Sequence, residues 1–180
     1  DVYKRQVVDL VACLRKMGAK IFGEGTDRIE INGVDALEPC DYSVMADRIE
    51  IGPYLTAVTM TKGNVSIKCS LPSVLETILD KLKIAGANIQ IDEEGINLEM
   101  DKIPNPVNIS TAPFPLFPTD MQAQFIALNS ISKGKSKVIE NVFENRFMHV
   151  QELIRMGGNI RLEGNTAYIE GNLSLIHISE

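Results

Sequence analysis

Asp120 stands at the start of a helical pattern and is reached through Pro113, Pro115 and Pro118, in the run Thr111-Ala-Pro-Phe-Pro-Leu-Phe-Pro-Thr-Asp-Met-Gln-Ala-Gln-Phe125. An alcohol barely ionises near neutrality, and a positioned carboxylate can take its proton as the oxygen attacks an electrophile. Prolines restrict the backbone leading to such a group, which suits a carboxylate that must be aimed. The competing reading is structural: Thr119-x-x-Gln122 has capping-box spacing, with Asp120 in the first turn. Downstream, Phe143-Glu-Asn-Arg-Phe-Met-His149 gathers an acid, an amide, a base and an imidazole just before another helical pattern. Arg146 has the planar fork that binds a diphosphate oxygen, and it could equally pair with Glu144. His149 has no second His or Cys at ligand spacing, which favours a hydrogen-bonded helix-start residue over a metal ligand. Val142 by itself reads as core.

The elements that must position these groups repeat along the chain. Met17-Gly-Ala-Lys-Ile21 recurs as Ala85-Gly-Ala-Asn-Ile89 and Met156-Gly-Gly-Asn-Ile160, at intervals of 68 and 71 residues. A helical pattern precedes each copy and two short strand patterns follow it, as at Ile89–Ile91 and Ile96–Leu98 around a Glu94-Gly95 turn. Upstream, Thr61-Lys-Gly63 matches Ser132-Lys-Gly134, each glycine 23 residues before Gly86 or Gly157. Asp47 and Asp120 precede those earlier glycines by 16 and 14 residues, and each opens a helical pattern. Asp47 is thus the repeat mate of Asp120, and Asp47-x-x-Glu50 is again a capping arrangement. One unit reads strand, helix, strand, helix, strand, strand over about 70 residues, and tandem units of this kind pack together and share a core. The chain holds half of one unit and then two whole ones. Two segments break the pattern. Residues 1–6 and 172–180 read as foreign tails, in the manner of translated adapter sequence, which would make His177 irrelevant to function.

Composition narrows the class. With 44% hydrophobic and 23% charged residues, the chain is expected to be globular. A formal charge of −6 argues against nucleic acid, because phosphate neutralisation needs clustered Lys and Arg. No apolar run is long enough to span a bilayer. Cys13, Cys40 and Cys69 form no Cys-x-x-Cys pair, so a zinc site or disulfide framework is not expected. Cys13 and Cys69 read as buried small hydrophobes, which fits a reducing cytosol. Ser-His-Asp groupings, Walker loops and dinucleotide fingerprints are missing.

From about Val7 to Gly171, the Pro-Thr-Asp-Met-Gln-Ala-Gln and Glu-Asn-Arg-Phe-Met-His motifs resemble the bacterial UDP-N-acetylglucosamine enolpyruvyl transferases. The resemblance implies an α/β (α+β) fold, an inside-out α/β barrel built of βαβαββ repeats, with helices inside and sheets outside. This chain would hold about two and a half of six repeats. Residues 7–40 would then end a first lobe, with the lobe boundary near Val34–Ser43, and 44–171 would form two repeats of a second. The partners implied are UDP-N-acetylglucosamine, phosphoenolpyruvate and the remainder of a two-lobe chain. The implied setting is peptidoglycan synthesis in the bacterial cytoplasm, with no metal and no organic cofactor. Asp120 would be the catalytic base on the sugar hydroxyl. Substrate contacts would fall at Thr119, Asp120, the Val142 backbone, Phe143, Arg146 and Asp47. The family's acid is a cysteine in the preceding lobe, and none of the three here matches it. Ala46 departs from a usual proline, and Pro53 is expected to be tolerated only within a first helical turn. Two alternatives stand beside this reading: an enzyme of the 5-enolpyruvylshikimate-3-phosphate synthase type, and a non-catalytic UDP-sugar-binding paralogue.

Overall fold

Three helices of the chain stop in the same way, and the stop explains the repeated glycine signature. In α1 (Arg5–Lys16), the Gly18 N–H donates to Arg15 O at 2.9 Å and the Ala19 N–H to Leu14 O at 2.9 Å. In α3 (Glu76–Ala85), Gly86 and Ala87 make the same bonds to Lys83 and Leu82. In α5 (Met148–Arg155), Gly157 and Gly158 make them to Ile154 and Leu153. This pair of bonds needs a left-handed residue after the helix, and Gly18, Gly86 and Gly157 have φ of 99°, 107° and 97°. Each stop turns the chain directly into a strand.

The computed structural model describes residues 5–69, 75–113 and 116–172. Phe114, Pro115, His177 and most of both expected tails lie outside them, although α1 already begins at Arg5. The chain divides into two compact units, residues 1–45 and 46–180. In the first, α1 precedes an antiparallel hairpin of β1 (Lys20–Phe22) and β2 (Glu30–Asn32), with Ile21 opposite Ile31. Val11 and Ile21 are buried there. Cys13 is only partly buried, unlike Cys69 in the second unit, and all three thiols are free.

The second unit contains two similar copies. The first copy runs α2 (Arg48–Thr61), β3 (Asn64–Lys68), α3, β4 (Asn88–Ile91) and β5 (Gly95–Glu99). The second runs β6 (Ile109–Ser110), a 3₁₀ turn at Thr119–Met121, α4 (Gln122–Ser130), β7 (Lys135–Ile139), α5, β8 (Asn159–Glu163) and β9 (Thr166–Glu170). Strand orders are β3-β5-β4 and β6-β7-β9-β8, antiparallel except for the β6–β7 pair. Registers correspond: Glu99 lies between Asn64 and Asn88, as Glu170 lies between Lys135 and Asn159. Helices α2 and α4 pack on each other, α2 also on β5 and α4 on β7 and β9. A helical layer therefore sits between two sheets. Leu55, Ile78, Leu79, Leu82, Phe125, Ile126 and Leu128 from the helices meet Ile96, Leu98, Val138 and Ile169 from the sheets in the core. No barrel closes among the described residues. No helix among them is long and apolar enough to cross a membrane.

Two local expectations differ from what forms. The first copy lacks its opening strand: residues 36–47 have no regular secondary structure, and β3 is left at its sheet's edge. In the second copy, the Lys137 N–H donates to Asn108 Oδ1 at 2.9 Å beside β6. Asn129 bonds both the N–H and the carbonyl of Val107, at 2.8 and 2.9 Å. Neither residues 34–45 nor helix α2 contains an asparagine to tie the chain in this way. The other difference is Pro53, which lies past the first turn and inside α2. It leaves the Ile49 carbonyl without its helical donor, but the residue before it is Gly52, which has no Cβ to clash with the proline ring. The absent Cβ also lets α2 approach the 3₁₀ turn, since a Cβ there would lie 2.7 Å from Met121 Sδ.

Asn129→Ala should strand two buried backbone groups of Val107 and cost roughly 2–4 kcal/mol, since each orphaned group costs about 1–3 kcal/mol. Urea unfolding measures this directly. A loss below about 1 kcal/mol would show that water or a shifted backbone replaces the amide.

Candidate active site at the end of strand β7

Strand β7 alternates outward and inward, with Ser136 and Val138 buried, so the next inward position is Glu140. Glu140 is only 3% exposed. A buried carboxylate is costly unless hydrogen bonds replace its water. Five donors do so here. The Thr111 and Thr119 hydroxyls donate at 2.8 Å each and Gln122 Nε2 at 3.3 Å. The Val142 and Phe143 N–H groups donate at 2.9 and 3.1 Å. Burial pushes the Glu140 pKa up, but bonds from Thr119, Val142, Thr111 and Phe143 outweigh it and hold the group below its ordinary 4.5.

Each donor is placed by its own element. Parallel pairing of β6 with β7, continued by Thr111 N–H to Ile139 O at 2.9 Å, brings Thr111 alongside. The Asn141 N–H donates to Thr111 Oγ1 at 2.9 Å, leaving the hydroxyl proton for Glu140. Thr119 comes from the 3₁₀ turn before α4, where the Ala112 N–H to Phe117 O bond at 3.0 Å closes the preceding loop. Phe117 packs edge-on against Phe125, centroids 5.1 Å apart, and anchors that loop in the core.

Thr119 links this buried group to the surface. Arg146 Nη1 donates to Thr119 Oγ1 at 2.9 Å, and Nη2 meets Asp120 Oδ1 at 2.7 Å. The guanidinium lies over the Phe143 ring at 5.1 Å. Asn145, at φ 57°, gives the left-handed bend that returns Arg146 toward α4. Side-chain exposures of 36% and 51% make the Arg146–Asp120 pair a weak source of stability, so what it supplies is orientation. Beside it opens a cleft of about 850 Å³ lined by Val142, Phe143, Arg146, Phe147, Met148 and Asn165, among others. Phe143 and Met148 expose apolar surface at this cleft.

Five of the six expected site residues thus come together: Thr119, Asp120, Val142, Phe143 and Arg146. Asp47 stays outside the network, and its carboxylate caps α2 by accepting the Ile49 N–H at 2.8 Å. Three readings are corrected. Thr119 and Gln122 form no capping box, because both donate to Glu140 instead. Arg146 pairs with Asp120, not Glu144. His149 is not hydrogen-bonded through Nε2, which is buried without a partner. The Val142 N–H is used by Glu140, so the backbone group it can turn toward a ligand is its carbonyl. Glu140 itself was missed, although the period-two burial of Lys135-Ser-Lys-Val-Ile-Glu140 could have marked it as inward-facing. Among the described residues, no cluster of three or more His, Cys, Asp or Glu could hold a metal ion.

The sequence pattern of the EPSP synthase (3-phosphoshikimate 1-carboxyvinyltransferase) family matches residues 2–178. The chain belongs to that family. Among solved enolpyruvyl transferases, NikO from Streptomyces tendae superposes with a TM-score of 0.77 at 22% identity, covering 92% of this chain and 40% of its own. The EPSP synthase from Acinetobacter baumannii superposes with a TM-score of 0.52 at 17% identity, covering 92% and 39%. At these identities the likeness shows the fold alone. The chain spans about two fifths of the length of either structure.

His149 predicts a pH dependence. Burial first, and then the nearby Arg146 charge, hold its pKa below the ordinary 6.5. The unfolded chain then binds the proton more readily, so stability is intact above pH 6.5 and falls as the pH drops below it. Glu140, held below 4.5, adds a second loss that begins only under pH 4.5. In His149→Gln the first decline should vanish and the second remain, read from urea midpoints between about pH 8 and pH 4. An unchanged profile would assign the first decline to another group.

Proposed function

We propose that this chain is part of a UDP-N-acetylglucosamine 1-carboxyvinyltransferase. That enzyme moves the enolpyruvyl group of phosphoenolpyruvate to the 3′-hydroxyl of the amino sugar and releases phosphate, opening peptidoglycan synthesis in the bacterial cytoplasm. One observation carries the reading: Arg146 of the Glu-Asn-Arg-Phe-Met-His motif meets Asp120 of the Phe-Pro-Thr-Asp-Met-Gln motif at 2.7 Å beside an open cleft. Asp120 takes the proton from the sugar hydroxyl while its oxygen bonds to the enolpyruvyl carbon. An acid from the other lobe protonates the methylene to a methyl group. The resulting tetrahedral ketal then loses phosphate from one carbon and a proton from that methyl, which restores the double bond. Arg146 orients the base and presents a positive charge to the substrate. The Val142 carbonyl and the exposed Phe143 ring border the nucleotide or sugar. The acid and most phosphoenolpyruvate contacts would belong to parts of the enzyme not represented in these 180 residues.

A second reading follows from the family description, in which the acceptor is 3-phosphoshikimate. The cleft is better matched to a larger, partly apolar acceptor. Its lining sets one cation, Arg146, among the apolar Val142, Phe143, Phe147 and Met148, a surface that a nucleotide ring or sugar face can cover and a small phosphorylated acid cannot.

In a complete two-lobe enzyme carrying this segment, Asp120→Asn should lower turnover by about 10²-fold or more, in the range for a lost general base. Asp47→Asn should cost far less, since its carboxylate caps a helix. Single-turnover phosphate release and calorimetric titration with the UDP-sugar separate chemistry from binding. Near-normal turnover in Asp120→Asn would sink the base assignment, and turnover with 3-phosphoshikimate but not with the UDP-sugar would favour the second reading.

A further inference from the structure

We propose that Glu140 is a positioning residue for this site, fixing through Thr119 and the Val142–Phe143 backbone both the edge and the face of the Arg146 guanidinium that holds Asp120. It is too buried to meet a substrate itself. Its influence runs along two branches, one from each carboxylate oxygen.

The first branch has a forced direction. Arg146 can only donate hydrogen bonds, and an ionised carboxylate can only accept them. The Thr119 hydroxyl lies between the two, 2.9 Å from Arg146 Nη1 and 2.8 Å from Glu140 Oε2. Its single proton must therefore point to Glu140 and its lone pair to Arg146. With Nη1 set this way, the planar guanidinium aims Nη2 at Asp120 Oδ1, 2.7 Å away. In the second branch, Oε1 accepts the Val142 and Phe143 N–H groups and sets the turn that carries the Phe143 ring. That ring lies under the same guanidinium at 5.1 Å. One carboxylate thereby holds Arg146 on two sides. Glutamine cannot replace it, because a carboxamide accepts at one oxygen only and turns a donor toward Thr119 and Gln122 or toward the backbone pair.

The inference rests on the assignment of Asp120 as base only in its kinetic arm. In the 180-residue chain, nitrogen-15 spectra of the Arg146 side chain should show restricted rotation, lost in Glu140→Gln. They should keep it in Ile126→Val, which loosens the core beneath α4 without touching the network. In the complete enzyme, Glu140→Gln should lower kcat by about 10–100-fold, with KM for the UDP-sugar changing much less. Added to Asp120→Asn it should cost little more, because two residues acting through one group are not additive. Arg146 staying restricted in Glu140→Gln, or kcat losses that multiply in the double variant, would overturn the positioning role. If Asp120→Asn alone keeps normal turnover, the base assignment fails, and the Arg146 spectra alone then decide the role of Glu140.

Discussion

A single carboxylate, buried where strand β7 ends, sets the terms for everything around it. Placing a negative charge at 3% exposure leaves no room for partial solvation, so the surrounding chain must supply donors. They come from the connection after β6, from the 3₁₀ turn before α4, from α4 itself and from the turn after β7. The first three lie 18 to 29 residues before Glu140, and the last follows it by only two or three. Bringing them within hydrogen-bond distance of one side chain requires the parallel β6–β7 pairing and the packing of α4 beneath the sheet. The network thus joins the fold to the surface chemistry, with the Thr119 hydroxyl bridging the buried acid to Arg146.

The two copies of the second unit show what this joining adds. Their strand orders and registers agree, and the same glycine stop leads from helix to strand in each. Among the described residues, the opening strand forms in the second copy, and there a side-chain network extends from the sheet end to an exposed ion pair. In the first copy the equivalent acid, Asp47, turns back to cap its own helix. Equivalent positions in a repeat thus took different work: one acid stabilises a helix start, and its mate faces the cleft's arginine.

Close approach of the two central helices also has a local origin. Gly52 leaves no side chain between α2 and Met121, so α2 can reach the turn that carries Asp120. Thr56 and Thr59 bury their hydroxyls on the same helix by donating to the Gly52 and Leu55 carbonyls, and so add no unmet polar group to the core. The turn that carries Asp120 is therefore seated on packed helices, which is what the proposed proton transfer would require of it.

Features that depend on bonds a few residues long could be read from the sequence alone. The three glycine stops, the strand pairs after them, the mixed α/β class and the two segments bearing Asp120 and Arg146 are of this kind, because the i to i+5 bonds and the period-two and helical patterns are local. The capping spacing at Thr119–Gln122 was local too, and it misled. A buried acceptor 18 and 21 residues away competes for those side chains and wins, since an ionised, desolvated carboxylate is the stronger acceptor. The same limit hid the true partner of Arg146, which sits 26 residues back and not two. Periodicity could place Glu140 on the inward face of β7, but only tertiary structure could say which donors would meet it there. That choice is made by strand pairing and helix packing, which bring together groups whose separation along the chain carries no signal of their contact.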